Sequence, residues 1–287
     1  MLKIAYLNAW GLNYAERMLD YLADLAASGI RAFCLTETLD HDIAALRDHV
    51  WTSDRRAFPA AHAAIAHALG PDFLAAFAAN TSQTLRCDRT GRVFSQVRQG
   101  NSLFIHRSLA PESMGAREIF PAGFTPQRPR PIARRMLQYA SFMVDGQRWL
   151  LLNFHGIWIA GEGKGGCPEH VWQSQVLGTE IADLARGASA DHLLLGADLN
   201  LDIDAPELAT LEAWPMPGDT GRLRNLVREA GLASTRTPLF EAGSAAGISR
   251  VCDHLLLASP AVTQARLHVG DHDVSDHVPL LLELASK

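Results

Sequence analysis

Apolar positions along this chain follow two rhythms. Short unbroken runs recur from end to end, at 3–10, 30–37, 102–106, 137–144, 148–155, 192–198, 250–257 and 277–284. Each is brief and rich in Leu, Val, Ile or aromatic residues, which predicts buried strands. Between them the spacing lengthens to that of a helix. In AERMLDYLADLAAS, Met18, Leu19, Leu22 and Leu25 share one face, and Gly29 supplies a stop. CPEHVWQSQVLGTEIADLARG sets Pro168 near a helix start and Gly187 at its end. GRLRNLVREAGL predicts a third helix. The Ala-rich block 58–80, punctuated at Gly70-Pro71, predicts one or two more. Residues 203–221, with Pro206, Pro215 and Pro217, predict a surface excursion holding at most a short helix.

Strands and helices alternate throughout and no repeat or low-complexity linker divides them, so residues 1–287 read as one α/β domain. Asp145-Gly146 between two adjacent runs is a hairpin signal, which makes the sheet mixed and not purely parallel. A composition of 48% hydrophobic and 20% charged residues is that of a globular protein. The net charge of −5 argues against a protein that coats nucleic acid by bulk electrostatics, though it leaves room for a local basic groove. Cys34, Cys87, Cys167 and Cys252 show no C-x-x-C spacing, against a zinc knuckle or a disulfide framework. No secretory signal and no apolar run of membrane-spanning length is visible, so the expectation is a soluble cytoplasmic protein.

The polar residues change the picture, because they fall at the ends of the apolar runs. Asn8 lies near the end of the first, Glu37 ends the second, and His155 follows LLLNF. Asp198 and Asn200 follow LLLGA, Asp253 sits within RVCDHLLL, and Asp276 and His277 open the last run. If the strands lie side by side, these groups meet at one edge, where ligand sites of α/β sheets form. Carboxylates gathered without thiolates favour Mg²⁺ or Mn²⁺, and the cation makes the gathering of like charges stable. A histidine beside such a site serves as acid, base or oxyanion stabiliser, and the combination points to hydrolysis at phosphorus.

At these residues the sequence resembles the endonuclease/exonuclease/phosphatase superfamily of deoxyribonuclease I-like metal-dependent phosphoesterases. YLNAWGLN carries Asn8, LTET carries Glu37, NFHG carries His155, and GADLN carries Asp198 and Asn200. RVCDHLLLAS carries Asp253, and VSDHVPL carries Ser275, Asp276 and His277. The resemblance spans nearly the whole chain. It implies a four-layer sandwich, with two central mixed β-sheets packed face to face and flanked by helices. It implies that Asn8, Glu37 and Asp276 hold Mg²⁺ or Mn²⁺, with Glu37 as principal ligand, and that His277 pairs with Asp253. His277 is then either the base that activates water or a stabiliser of the phosphoryl oxygens, and in the second case Asp198 handles the water. Asn200 and His155 donate hydrogen bonds to the developing charge. The chain departs from the pattern at Ala197, which stands where many relatives have Gly. No residue matches the mid-chain catalytic tyrosine of the apurinic endonucleases, Tyr139 being the nearest, which argues against DNA repair.

The remaining motifs admit bland readings. GEGKGG around Lys164 fails the phosphate-loop pattern, because Lys164 is followed by Gly, and it reads as a loop with a solvated lysine. PQRPRPIARR, with Arg128, Arg130, Arg134 and Arg135, is either a solvated extended loop or a phosphate-binding rim, in which Arg130, Arg134 and Arg135 would meet substrate. His272 reads as a bystander, and His254 as either a core neighbour or a site residue. The expected activity is a phosphodiesterase, nuclease-like by analogy, acting by in-line attack of water. The same site would serve a phosphatase, or a diesterase of lipid head groups or small molecules. A catalytically degenerate binding module is the reading from another class. The substrate is therefore a phosphoester, either nucleic acid or a small or lipid phosphodiester.

Overall fold

The computed structural model describes residues 1–41, 50–51, 56–120, 133–159, 163–218, 221–240, 250–260, 262–270 and 273–286. Arg128, Arg130 and His272 lie outside these residues. In chain order the elements begin with β1 (Leu2–Asn8), α1 (Ala15–Ala27), β2 (Ala32–Asp40), β3 (Val50–Trp51), β4 (Arg56–Ala57), α2 (Ala61–Leu69), β5 (Phe73–Arg86) and β6 (Val93–His106). They continue with β7 (Ser113–Phe120), β8 (Arg135–Val144), β9 (Gln147–His155), α3 (Pro168–Ala188), β10 (His192–Asp198) and α4 (Pro206–Glu212). Last come β11 (Arg224–Asn225), α5 (Leu226–Glu229), β12 (Asp253–Ala258), β13 (Val262–Val269) and β14 (Leu280–Ser286).

Two six-stranded sheets carry the fold, in the orders β13-β14-β1-β2-β6-β5 and β11-β12-β10-β9-β8-β7. Their inner faces share an apolar layer that includes Ile4, Tyr6, Cys34, Ile105, Phe142, Leu151, Leu194 and Leu255. The outer face of the first sheet packs Leu7, Phe33 and Leu35 against Met18 and Leu22 of α1 and Ile65 of α2. The outer face of the second packs Leu152, Phe154 and Leu195 against Leu177 and Ile181 of α3 and Leu208 of α4. The result is the expected four-layer sandwich. It follows from strands that are apolar on both faces and so must be covered on both. Among the described residues no helix is long and apolar enough to cross a membrane.

The hairpin at Asp145-Gly146 forms as the sequence predicts, with both residues at positive φ (52° and 79°) between antiparallel β8 and β9. Two helix expectations are corrected. The block 58–80 holds one helix, α2; beyond Gly70 the chain turns and Phe73–Arg86 pairs with Val93–His106 as a long antiparallel ribbon. Alanine favours a helix, but pairing along the ribbon overrides that propensity. GRLRNLVREAGL yields only the single turn Leu226–Glu229, because Arg224 and Asn225 pair with β12. The Asn225 side chain then caps Val227 and Arg228, and Gly231 at φ 64° follows the short turn.

Register gathers the strand ends. β1 and β2 run parallel, setting Asn8 beside Thr36, and β9 and β10 run parallel, setting His155 beside Asp198. β12 runs antiparallel to β10 and opens with Asp253 opposite Asp198. β14 runs antiparallel to β1, with Leu280 opposite Tyr6, so residues 276 and 277 approach the Asn8 end. β8 pairs Leu137 with Phe154, which brings its first residue, Arg135, to the same edge.

Candidate active site

The backbone at this edge is bent to aim side chains. Glu37 has φ 51° where the pairing of β2 with β6 slips between Leu35 and Thr38, so a bulge directs its carboxylate inward. Asn200 has φ 53°, a conformation that asparagine tolerates, and its N–H donates to Asp198 Oδ1 at 3.0 Å. Trp10 and Leu12, just past Asn8, also have positive φ (46° and 54°). Ser275 Oγ donates to the Asn8 carbonyl at 2.7 Å and ties the His277 segment to β1.

The side chains form one connected network. Asn8 Nδ2 donates to Glu37 Oε1 and to Asp198 Oδ2, both at 3.1 Å, while its Oδ1 accepts the Trp10 N–H at 3.0 Å. His277 Nδ1 lies 2.7 Å from Asp253 Oδ2, and its Nε2 faces Asp198 Oδ2 at 3.8 Å and Asp276 Oδ1 at 3.9 Å. Tyr6 O–H donates to the other Asp253 oxygen at 3.2 Å. His155 Nε2 lies 3.9 Å from Glu37 Oε1 and 3.4 Å from Asn200 Nδ2. Every residue singled out in the six motifs is therefore at this edge. Tyr6 is an addition that its strand setting did not reveal.

Burial sets the electrostatics. It opposes the charge of Asp198, but His277, His155, Lys164 and Arg236 outweigh it and hold the carboxyl well below the usual carboxylate range. Burial raises Asp276, with Glu37 and Asp253 adding to the effect against His277 and Arg236. Burial and Arg236 oppose protonation of His277, yet Asp253 and Asp276 carry its imidazole well above the ordinary histidine value. Burial, helped by Arg135, lowers His155.

Among the described residues, Arg236 and Lys164 bond groups of this cluster, and Arg135 acts on it electrostatically. Arg236, which sequence reasoning passed over, donates from Nη1 to Asp276 Oδ2 at 3.0 Å and lies against His277 Nε2, and its guanidinium covers the Phe240 ring at 4.5 Å. The only sequence signal for it is a lone arginine between Thr235 and Thr237. Lys164 donates from Nζ to Asn200 Oδ1, which corrects its reading as a solvated side chain. Burial brings the Arg135 guanidinium down to about 10, against the charges of Glu37 and Asp198, which favour its protonated form. Arg134 is instead bonded to the Ala79 carbonyl at 3.0 Å and lies 3.8 Å from Glu118. His254 is a core neighbour: its Nε2 donates to the Leu201 carbonyl at 2.9 Å and its Nδ1 accepts from Asn225.

A hard divalent cation fits the oxygen-rich side of this cluster. Burial raises the Asp276 carboxyl and Glu37 adds to the rise, a strain on the ionised carboxylates that a bound cation would relieve. Asn8 meets Glu37 and Asp198 through its amide nitrogen and so braces Glu37 from the side. Asp198, Cys252, Asp253 and His277 also place donor atoms within 4.8 Å of one another. In that group the closest pair, His277 and Asp253, is already satisfied internally, so the Glu37–Asp276 side is the better seat for a hard ion.

Neither a protein-family model nor a curated protein sequence matches the chain. Solved structures do. A mannosyl-6-phosphatase of Bacteroides thetaiotaomicron superposes with a TM-score of 0.61 at 15% identity, over 99% of this chain and 100% of that one. An endonuclease/exonuclease/phosphatase family protein from Leptotrichia buccalis gives 0.64 at 12%, over 99% and 100%. Truncated TDP2 from Caenorhabditis elegans gives 0.58 at 15%, over 99% and 96%. At such identities the likeness is one of fold. The chain has the four-layer fold of the endonuclease/exonuclease/phosphatase superfamily, as its six motifs led us to expect.

Proposed function

We propose that this protein hydrolyses phosphoric esters with a divalent cation, Mg²⁺ or Mn²⁺, by in-line attack of water on phosphorus. The observation that carries the reading is the convergence of Asn8, Glu37, His155, Asp198, Asn200, Asp253, Asp276 and His277, from six chain segments, into one buried network. Structural neighbours of the same fold include one named as a sugar phosphatase. A cation held by Glu37 and Asp276, with Asn8 bracing Glu37, would neutralise charge developing on the phosphoryl oxygens.

The chain's own residues divide the remaining work. Asp253 fixes the ring of His277 through Nδ1, and Tyr6 fixes Asp253. Held above its ordinary value, His277 presents a proton at Nε2 to a phosphoryl oxygen. Asp198 stays ionised, is fixed by Asn8 and by the Asn200 N–H, and is placed to orient a water and take its proton. Asn200 and His155, 3.4 Å apart beside Asp198 and Glu37, would supply hydrogen bonds to the developing charge. Of the two roles open to His277, this charge distribution favours stabilisation over base catalysis.

The test is turnover of a broad panel of phosphomonoesters and diesters by purified protein, with Mg²⁺ or Mn²⁺ and with chelator. Activity lost on chelation, and lost again in Glu37→Ala and His277→Ala, is the expected result. Failure to cleave any phosphoester with metal present would overturn the proposal.

A further inference from the structure

α3 meets the second sheet with a row of side chains four residues apart: Gln173, Leu177 and Ile181. Leu177 and Ile181 are ordinary core residues, but Gln173 is fully buried as well. An amide in that position is costly unless both its ends are bonded. Both are, and to the backbone that carries the site. Gln173 Oε1 accepts the Ile157 N–H at 2.6 Å, and its Nε2 donates to the Leu199 carbonyl at 3.1 Å. Ile157 lies two residues beyond His155, and Leu199 lies between Asp198 and Asn200.

The two strands end where their functional side chains stand. β9 stops at His155 and β10 at Asp198, and one backbone bond continues past them, from Gly156 N–H to the Asp198 carbonyl at 2.7 Å. The chains run so close here that a Cβ on Gly156 would lie 2.5 Å from the Leu199 oxygen and 2.9 Å from Gln173 Oε1. Beyond that point side chains of α3 take over from the ladder. His170 Nε2 donates to the Ile157 carbonyl at 3.2 Å, so one helix holds both backbone groups of Ile157. Leu199 N–H donates to the Cys252 carbonyl at 3.0 Å, which leaves its own carbonyl to Gln173. Asn200 follows at φ 53°, so the direction of its side chain depends on how Leu199 is held.

We propose that Gln173 is a positioning residue, whose single amide sets the spacing and orientation of His155 and Asn200, the two donors to the developing charge. The inference rests on the phosphoester-hydrolase reading and adds to it a residue that none of the six motifs contains. Gln173 acts through the backbone of Ile157 and Leu199 and not by meeting substrate. The donors it governs stand on separate strand ends, with His155 Nε2 3.4 Å from Asn200 Nδ2. Without the amide, each segment keeps its own fold but loses its tie to the other. A misplacement of about 1 Å in a site can cost roughly a hundredfold in rate, so the tie should matter more to turnover than to substrate binding.

Gln173→Met keeps the length of the side chain and removes both bonds. On a phosphoester that the wild type turns over, it should lower kcat about tenfold to a hundredfold and leave KM within about threefold, with circular dichroism reporting folded protein. Gln173→Glu is the conservative rescue. A carboxyl buried here stays protonated in mildly acidic buffer, accepts from Ile157 and donates to Leu199, so it should recover most of the kcat lost in Gln173→Met, each variant compared with wild type at the same pH. Gly156→Ala, whose Cβ presses on the Leu199 carbonyl and on Gln173 Oε1, disturbs the same tie from the strand side and should lower kcat in the same way. NMR of isotope-labelled protein reads the arrangement without turnover. The His155 imidazole and the Asn200 side-chain amide should change their signals in Gln173→Met and return toward wild type in Gln173→Glu, while the His192 ring at the far end of β10 stays unchanged. Wild-type kcat in folded Gln173→Met or Gly156→Ala, a Gln173→Glu no more active than Gln173→Met, or a loss of kcat with the His155 and Asn200 signals unmoved would overturn the positioning role. Wild-type protein that hydrolyses no phosphoester, while those signals still move in Gln173→Met, would sink the hydrolase reading and leave the tie standing.

Discussion

β10 begins at His192 and ends at Asp198, and both side chains are buried, yet its two ends treat burial differently. At the first end each ring nitrogen of His192 has one neutral partner: Nε2 meets Gln147 Oε1 at 2.5 Å and Nδ1 meets Ser259 Oγ at 2.7 Å. The ring lies against Trp149 with centroids 4.4 Å apart. At the other end, carboxylates, imidazoles and cations crowd together, and Glu37 and Asn200 hold left-handed backbone conformations. One neutral partner per polar atom is enough to bury a strand end. The Asp198 end contains far more charge than burial requires. That excess distinguishes a working site from a well-made core, since sites keep strain and repulsion that a core would shed.

The largest effects should come from removing charge at the Asp198 end. His277→Ala should lower kcat/KM on a phosphoester by roughly 10²- to 10⁴-fold, the usual contribution of a positioned acid or base. Glu37→Gln should abolish metal-dependent turnover, because it removes the charge proposed to hold the cation. His192→Ala should do the reverse: activity stays, and stability falls by about 1–3 kcal/mol as Gln147 and Ser259 lose their partner. Denaturant unfolding beside turnover separates the three. A His192→Ala protein that keeps its stability and loses turnover would break the comparison.

A smaller but sharper effect is expected in the middle of the strand. A Cβ on Gly196 would come within 2.8 Å of the Tyr6 ring, so Gly196→Ala pushes against the layer between the sheets. Overpacking of this kind costs about 1–3 kcal/mol. Because Tyr6 O–H holds Asp253, the same change should lower turnover even where the protein stays folded. Tyr6→Phe checks the coupling: it keeps the ring and removes only the hydroxyl, so activity should fall while packing is preserved. If Gly196→Ala loses stability but keeps full turnover, Tyr6 has no part in aligning the site.

Much of this was legible in the sequence, for a physical reason. Strands buried on both faces are nearly all apolar, so Asp198 after LLLGA or Glu37 after FCLT stands out wherever it falls. The long ribbon of β5 and β6 was not legible, because alanines at 75, 76, 78 and 79 carry no strand rhythm and are placed by pairing alone. Arg236 was not legible either. It lies in a polar loop, and the backbone bridge that carries it beside His277 forms only in the folded chain. Gly196 could be read as a departure from apolar continuity, but its reason, the Tyr6 ring from the other sheet, exists only in three dimensions.

The smallest expected effect concerns pH at the quiet end. Burial lowers the His192 imidazole below its ordinary value, and the nearby Asp191 offsets only part of this. In the unfolded chain the same group titrates near about 6.5. Above that pH both states are neutral and His192 contributes no pH dependence. Below it the unfolded chain binds a proton that the folded protein resists, so stability falls as pH falls, by at most about 1.4 kcal/mol per pH unit for each such histidine. His170 and His254 are lowered by burial in the same way and add to the slope. Below about pH 6.5, where His277 is protonated in both states, urea midpoints should therefore decline toward pH 5, and His192→Gln should flatten that decline while lowering the midpoint at pH 8. An unchanged slope in that variant would mean that His192 titrates alike in both states, and the quiet end would lose the neutral, one-to-one pairing that sets it apart from the site.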